Sequence, residues 1–470
     1  MKQAQFGMIG LGTMGRNFLL NVAEHGFSCA GFDLDDRKRQ LVVDEGAAFF
    51  VTAADDLKSF VASLEVPRRI MLLVPAGPIV DSVIHDLRPF LEKGDIVIDG
   101  GNSHYSDTER RESLLNSEGV EFLGVGVSGG EEGARHGASI MVGGKPDVYE
   151  RVRPMLEAAS AKVNGDPCAA HVGNGSAGHF VKMVHNGIEY GMMQLIAESF
   201  DILRRGFHIT DDRAADLFAK WNKGDLNSFL IEITALILRK KGDDGLPLVD
   251  RILDTAGQKG TGKWTSQVAM DFGVPIPTID SAVTMRQISA RKAERVAAAE
   301  QLGIVHDVQI DETLAPDTIG FIESALHLSF IATYAQGFSL LQTASVEKGY
   351  ELDLSEIARI WRGGCIIRAK MLEEMRAIFE AIPDLPNLLL ADILRNTIRN
   401  EQGLLKATMK FAIAADVPCM AFAATLNYLK AYASERLPAN LIQAQRDFFG
   451  AHTYQRIDQE GTFHTADWAI

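Results

Sequence analysis

The chain has little cysteine to build with. Its four cysteines in 470 residues, Cys29, Cys168, Cys365 and Cys419, are scattered and show no CxxC or metal-ligand spacing. That excludes a disulfide framework and a thiolate metal centre, and it leads us to expect reduced thiols, a cytoplasmic protein and no metal. Long hydrophobic runs are also missing, since none approaches the ~18 apolar residues of a membrane span. The N-terminus enters QFGMIGLGTMG almost at once, without an h-region or cleavage site, so no signal peptide is expected. Positive charge is in deficit, with 47 Lys and Arg against 62 Asp and Glu for a net charge of −15. That balance argues against nucleic-acid or anionic-membrane partners, and any anionic ligand must be held by a local cluster of cations. Low-complexity segments and Pro/Gly/Ser linkers are absent as well. The length exceeds one ordinary core and the hydrophobic share is 46%, so we expect two or three globular domains.

From residue 4 to about 173, β-rich runs alternate with helical patterns, the mark of a mostly parallel, doubly wound sheet. The runs are QFGMIGL, SCAGFD, RRIMLLV, DIVIDG, VEFLGVGV and ASIMVGG. The first ends in Gly10-Leu11-Gly12-Thr13-Met14-Gly15, a complete GxGxxG, and Asp33 closes the second about 20 residues on. Strand, glycine turn, helix, strand and terminal acid together specify a dinucleotide site, with the pyrophosphate at a helix N-terminus. A carboxylate at Asp33 accepts hydrogen bonds from ribose hydroxyls but repels a 2′-phosphate by about 4 kcal/mol per charge pair at 4 Å and an effective dielectric near 20. NAD is therefore expected over NADP. The counter-reading has Arg37, Lys38 and Arg39 holding a phosphate, although Asp35 and Asp36 stand beside them. Two further loops, Asp99-Gly100-Gly101-Asn102-Ser103 and Ser128-Gly129-Gly130, follow strands at the edge where such sheets hold ligands, yet each alone also reads as an ordinary turn.

After about residue 176 the strand pattern stops and helices take over. In the stretch Ser176 to Ala197, apolar residues recur at helical spacing and Ser176 reads as N-cap. Lys182, His185, Asn186 and Glu189 fall at i, i+3, i+4 and i+7. One face thus collects an amine, an imidazole, an amide and a carboxylate over about 10 Å. A solvated Lys–Glu face is the bland alternative, but apolar Met193 and Ile196 continue the same face. Gly187 and Gly191, one turn apart, each cost about 1 kcal/mol against Ala in a helix, so something packs close there. Substrate or cofactor is the expected neighbour. Downstream, Gly257 to Trp264 imitates a P-loop, but Trp264 stands where Ser or Thr must bind magnesium and LPLVDRILD before it reads as helix. Lys259 and Thr261 in that turn remain candidates for a single phosphate. Arg286 is a second cation, with a solvated helix face as its default. The segment beyond Leu437-Pro438 is too aromatic for a disordered tail and too short for its own core, so it is expected to pack on another part or a second subunit. Arg446 and His452 lie in it. The domains expected are 1–176, dinucleotide-binding; 177–436, all-helical; and 437–470, a C-terminal tail.

GLGTMG, GGNS, GVSGGEEGA, GHFVKMVHNGIEYGMMQL, GQKGTGKW, WRGGCIIR and QAQRDFFGAHTY together resemble the decarboxylating 6-phosphogluconate dehydrogenases over essentially the whole chain. The resemblance implies a Rossmann domain, a large all-helical domain built on a duplicated unit, and a homodimer whose tails enter the partner. It implies Lys182 as general base, Glu189 as general acid, and substrate contacts from Asn102, Ser128, Gly129, Gly130, His185, Asn186, Tyr190, Lys259 and Arg286. Arg446 and His452 would come from the second subunit. Cofactor contacts would be residues 10–15, Asp33-Leu34-Asp35, Val74-Pro75-Ala76 and Asn102. The chain departs from NADP-using members, with Asp33-Leu34-Asp35 for Asn-Arg-Thr, Val74-Pro75-Ala76 for Val-Lys-Ala, and GLGTMG for GLAVMG. The implied reaction is oxidative decarboxylation of 6-phosphogluconate to ribulose 5-phosphate. The alternatives are a non-decarboxylating β-hydroxyacid dehydrogenase, shorter and without the GTGKW loop or the tail, and a nucleotide-sensing protein that keeps the fold without chemistry.

Overall fold

The computed structural model describes residues 3–303 and 315–468. Ten strands occur among them: β1 (Phe6–Ile9), β2 (Cys29–Phe32), β3 (Val51–Ala53), β4 (Arg69–Leu72), β5 (Ile96–Asp99), β6 (Glu121–Ser128), β7 (Ser139–Gly143), β8 (Lys162–Val163), β9 (Asp166–Pro167) and β10 (Ala169–Gly173). Eight form one sheet in the order β10-β7-β6-β5-β4-β1-β2-β3, and β8 with β9 makes a separate ribbon. The first six strands thus follow the 3-2-1-4-5-6 order of a doubly wound nucleotide fold, with the reversal between β1 and β4. Strands β1, β2, β4 and β5 are apolar runs because helices cover both faces, and β1 and β5 are buried throughout. β7 pairs antiparallel with β6. The short β3 and β10 are absent from the six runs read off the sequence, because only one residue of Val51-Thr52-Ala53 is buried and Ala169-Ala170-His171 carries little strand character.

Among the described residues, every regular element from Ala177 on is helical. The central helix, Ala177–Asp201, lies against β6, β7 and β10 on one side and against the helices Thr261–Asp271, Pro277–Ser289 and Ala315–Lys348 on the other. Ser176 occupies its N-cap position but makes no capping bond. The Ser176 hydroxyl pairs with Tyr350 Oη (2.7 Å) and Glu109 Oε1 (3.1 Å). LPLVDRILD forms one 3₁₀ turn, Leu248–Arg251, and is otherwise irregular, contrary to the helix expected.

The glycines of the central helix are explained by packing. A Cβ on Gly178 would sit 2.2 Å from Gly124 O and 2.6 Å from Gly143 N, so helix backbone lies directly on strand backbone. Cβ atoms on Gly187 and Gly191 would sit 2.6 Å from Thr265 Cγ2 and 2.7 Å from Thr333 Cγ2. The close neighbours are therefore two helices of the same chain, and not the ligand expected from the sequence. The chain separates into two compact units, Met1–Ala424 and Thr425–Ile470. The nucleotide and helical parts share one unit, and the second begins inside the helix Met420–Tyr432.

This packing predicts opposite effects for two glycine substitutions. Gly178→Ala should lower stability by about 1–3 kcal/mol through overpacking against backbone. Gly403→Ala, on a helix with nothing within 4 Å of the new Cβ, should raise it by up to ~1 kcal/mol. Urea unfolding midpoints of the two variants check the pair.

Candidate active site

The polar face of the central helix is largely enclosed, with Lys182 and His185 buried and Asn186 and Glu189 half-buried. Lys182 is 7% exposed and His185 fully enclosed, which removes the solvated-face reading. Lys182 Nζ donates to Asn186 Oδ1 at 2.8 Å, one turn on, and His185 Nδ1 lies 3.1 Å from the same oxygen. Asn186 Nδ2 donates to Thr261 Oγ1 at 3.0 Å, and His185 Nε2 lies 3.2 Å from Ser128 Oγ. One amide thus ties the helix to the GTGKW turn, and one imidazole ties it to the C-terminal end of β6.

Burial sets the protonation states. Desolvation pushes the Lys182 amine down, partly offset by the Glu189 carboxylate. Desolvation also holds His185 well below the usual histidine range, helped by the Lys182 charge. The Glu189 carboxyl is pushed up by desolvation, against the pull of Lys182 and Arg286. His185 Nδ1 and Glu189 Oε2 are 3.9 Å apart, but with the imidazole neutral this is proximity and not an ion pair. The face therefore presents an amine poised to lose its proton and an acid poised to keep one.

The other candidates fall into three places. Around the helix, Arg286 stacks on the Tyr190 ring with Cζ 3.4 Å from its centroid and donates to Gly257 O at 2.9 Å. The default solvated face is thus wrong for Arg286. Lys259 is exposed on the preceding turn, and Thr261 is buried at a helix start behind Gly260, whose φ is +103°. Gly129 and Gly130 have positive φ, and a Cβ on Gly129 would meet Gly364 O at 2.4 Å. Asn102 is exposed at the crest of the loop after β5.

At the sheet's reversal point, Gly10 takes φ +93° and a Cβ on Gly15 would lie 1.8 Å from Gly10 O, so neither tolerates a side chain. Gly12 N-caps the helix Thr13–Glu24 without a side-chain cap, and Thr13 is exposed at its first turn, with Met14 half-buried. This uncapped helix start, with open space around Gly12, fits a dinucleotide pyrophosphate. Leu11 N donates to Asp33 Oδ2 at 2.8 Å, Asp35 N donates to Asp33 Oδ1 at 3.0 Å, and Leu34 between them is 89% exposed. Pro75 and Ala76 are exposed across from this loop and Val74 is half-buried. Among the described residues no cluster of His, Cys, Asp and Glu could hold a metal.

Arg446 and His452 belong to the second unit. Both are exposed, and Gln443 links them: it accepts from Arg446 Nη1 at 3.1 Å and its amide reaches His452 O at 3.5 Å. Asp447, fully buried between them in sequence, accepts from Thr453 N, His464 Nδ1, Thr465 N and Trp468 Nε1 at 2.9–3.1 Å.

Sequence reasoning assigned no role to Trp361 or Cys365. Trp361 stands edge-on to His185 with ring centroids 5.5 Å apart, and Cys365 is fully buried near enough for the Lys182 charge to act on its thiol. Both lie in WRGGCIIR, and only its glycine pair signals a tight approach from sequence.

Residues 5–173 match the NAD binding domain of 6-phosphogluconate dehydrogenase, and residues 178–468 match the C-terminal domain of the same enzyme. The chain is 49% identical over 469 residues to the NADP(+)-dependent, decarboxylating 6-phosphogluconate dehydrogenase of Bacillus subtilis, covering 100% of both chains. It is 46% identical over 472 residues to the decarboxylating enzyme of Escherichia coli, again covering 100% of both. A solved Plasmodium falciparum 6-phosphogluconate dehydrogenase, studied with NADP+ and with 6-phosphogluconate, superposes with a TM-score of 0.95 at 42% identity, over 98% of this chain and 100% of that one. Such full-length agreement leaves no place for the shorter, non-decarboxylating alternative. The chain belongs to the decarboxylating 6-phosphogluconate dehydrogenases.

Proposed function

We propose that this chain oxidises 6-phosphogluconate at carbon 3 and decarboxylates it to ribulose 5-phosphate, with Lys182 as general base and Glu189 as general acid. The observation that carries this is the buried helix face on which desolvation lowers the lysine and raises the glutamate. The nicotinamide cofactor, held by residues 10–15, Asp33 to Asp35 and Val74 to Ala76, supplies the hydride acceptor. Neutral Lys182 takes the proton of the 3-hydroxyl, and Asn186, 2.8 Å from its nitrogen, holds the amine in place. The resulting ketone is β to the carboxylate, so carbon dioxide leaves as electrons flow into that carbonyl, and the ammonium of Lys182 stabilises the developing enediol. Glu189 then protonates carbon 1. His185, Asn186, Asn102 and Ser128 to Gly130 orient the carboxylate and hydroxyls. Tyr190, Lys259, Thr261 and Arg286 take the phosphate.

Lys182→Met should lose roughly 10²- to 10⁴-fold in kcat while remaining folded. Glu189→Gln should lose turnover together with solvent hydrogen incorporation at carbon 1. An ammonium cannot accept the first proton, so kcat/KM should fall as pH drops through the lowered Lys182 pKa, at a pH below the ordinary lysine value of ~10.4. An acidic limb that survives in Lys182→Met would remove the lysine from this role.

NAD is the acceptor we propose, although the Bacillus relative is named for NADP(+). Asp33 stands at the end of β2 and the cations near it are already engaged. Lys38 lies 3.3 Å from Asp33, Arg37 lies 3.0 Å from Asp35, and Arg39 holds Asp36 and Asp33 O. A 2′-phosphate would have to break these pairs and face the carboxylate. The ratio of kcat/KM for NAD over NADP should exceed one, and a tenfold or greater NADP preference would overturn the Asp33 argument.

The protein acts as a cytoplasmic homodimer in this proposal, with Arg446 and His452 of one copy completing the phosphate site of the other. The Gln443 and Asp447 bonds support that reading by preforming the tail. Arg446→Ala should raise KM for 6-phosphogluconate at least about tenfold, the scale of one hydrogen bond to a charged group. An unchanged KM would exclude the tail from the site.

A further inference from the structure

Two of the ligand-facing loops are joined by a side chain that belongs to neither. Arg111, on the helix Tyr105–Ser117, is 1% exposed. A guanidinium has five N–H donors in a rigid planar fork, and here each has an acceptor. Nε donates to Asp81 Oδ1 at 2.8 Å, and Nη2 donates to Asp81 Oδ2 at 3.2 Å and Gly77 O at 3.0 Å. Nη1 donates to Asp99 Oδ2 at 3.1 Å and Ser103 Oγ at 3.0 Å. One side of the fork therefore grips the segment after Val74-Pro75-Ala76, and the other grips the residues flanking Asn102.

Asp99 extends the grip. Its Oδ1 accepts from Gly101 N at 3.1 Å and its Oδ2 from Ser103 Oγ at 2.7 Å, so Asn102 is fixed on both sides while its own side chain is exposed. The ladder between β4 and β5 ends at the pair Leu72 and Asp99, so the sheet does not set the spacing of the two loops beyond that point. Yet they lie in contact, since a Cβ on Gly101 would come 3.4 Å from Val74 O. A buried cation is retained only where its donors are met, and this one is met by two loops at once.

We propose that Arg111 is a positioning residue that fixes the Val74–Gly77 loop relative to the Gly100–Ser103 loop, and through them the cofactor relative to the substrate contact at Asn102. The proposal rests on the assignment of those loops to cofactor and substrate. Arg111→Lys keeps the charge, but a single ammonium cannot span both sets of acceptors. Hydrogen exchange on the full-length enzyme reads the loops directly, and steady-state kinetics reads the ligands. In Arg111→Lys, amides in 74–80 and 99–104 should exchange at least about tenfold faster. KM for 6-phosphogluconate and for the nicotinamide cofactor should both rise about fivefold or more, with kcat changed less. Unchanged exchange in either segment would overturn the joint hold. Loosened loops with unchanged KM values would overturn the positioning role, and Asn102→Ala then tells where the fault lies. If that variant also leaves KM unchanged, the assignment of the loops to ligands is wrong. If Arg111→Lys does not fold, Asp81→Asn replaces it, because Asp81 is 35% exposed and contacts only one side of the fork. It should loosen 74–80 alone and raise the cofactor KM alone, and no change in exchange would overturn the proposal.

Discussion

Desolvation of one helix face is the constraint on which the rest of the molecule depends. Lys182, His185, Asn186 and Glu189 occupy a stripe that would be ordinary in water and changes character when enclosed. Each ionisable group on it is pushed toward its neutral form, so the amine gives up its proton, and the carboxyl keeps one, more readily than either would in water. Asn186 bonds Lys182, His185 and Thr261, and His185 reaches Ser128, so this part of the stripe is held by hydrogen bonds more than by ion pairs. The arrangement needs walls on both sides, and the glycines make them possible. Gly178 lets the sheet backbone touch the helix, while Gly187 and Gly191 admit two threonines from neighbouring helices.

The nucleotide end obeys a different logic. There the glycines serve backbone conformation and close approach, and the charges near Asp33 are paired with one another. The Asp33 carboxylate accepts from Leu11 N of the glycine loop and from Asp35 N of its own loop. A change at Asp33 would therefore disturb the conformation of both loops.

The sequence made the Rossmann portion readable because its signals are local: a glycine turn, a strand and an acid at fixed spacing. The polar helix face was readable for the same reason, since helical periodicity alone places Lys182 and Glu189 on one side. What the sequence could not reveal depends on distant partners. Nothing around Arg111 hints that Asp81, Asp99 and Gly77 converge on it, and nothing in Trp361 hints at His185. The two glycines of the central helix were legible as a close approach, but the identity of the neighbour was not, because Thr265 and Thr333 lie far along the chain. β3 and β10 escaped because strands of three to five residues with two or three mostly small apolar side chains resemble loops until a sheet edge recruits them.

The same enclosure links stability to pH in two opposed directions. Glu198, on the central helix beyond the site, is 2% exposed and has its carboxyl raised to about 7 by desolvation, although Ala421 N, Phe422 N and Gln194 donate to it at 2.9–3.0 Å. Glu189 is raised for the same reason. A raised carboxyl binds its proton more tightly folded than unfolded, so its contribution is complete below the unfolded value of ~4.3 and is lost as pH rises through the folded one. Lys182 is lowered, so the unfolded chain holds that proton more tightly, and stability recovers as pH climbs from the folded lysine pKa toward ~10.4. Between these ranges the enclosed face subtracts from stability by both routes. There Lys182 and Glu189 are both ionised, so the fold is loaded most heavily where the enclosed stripe carries its charges.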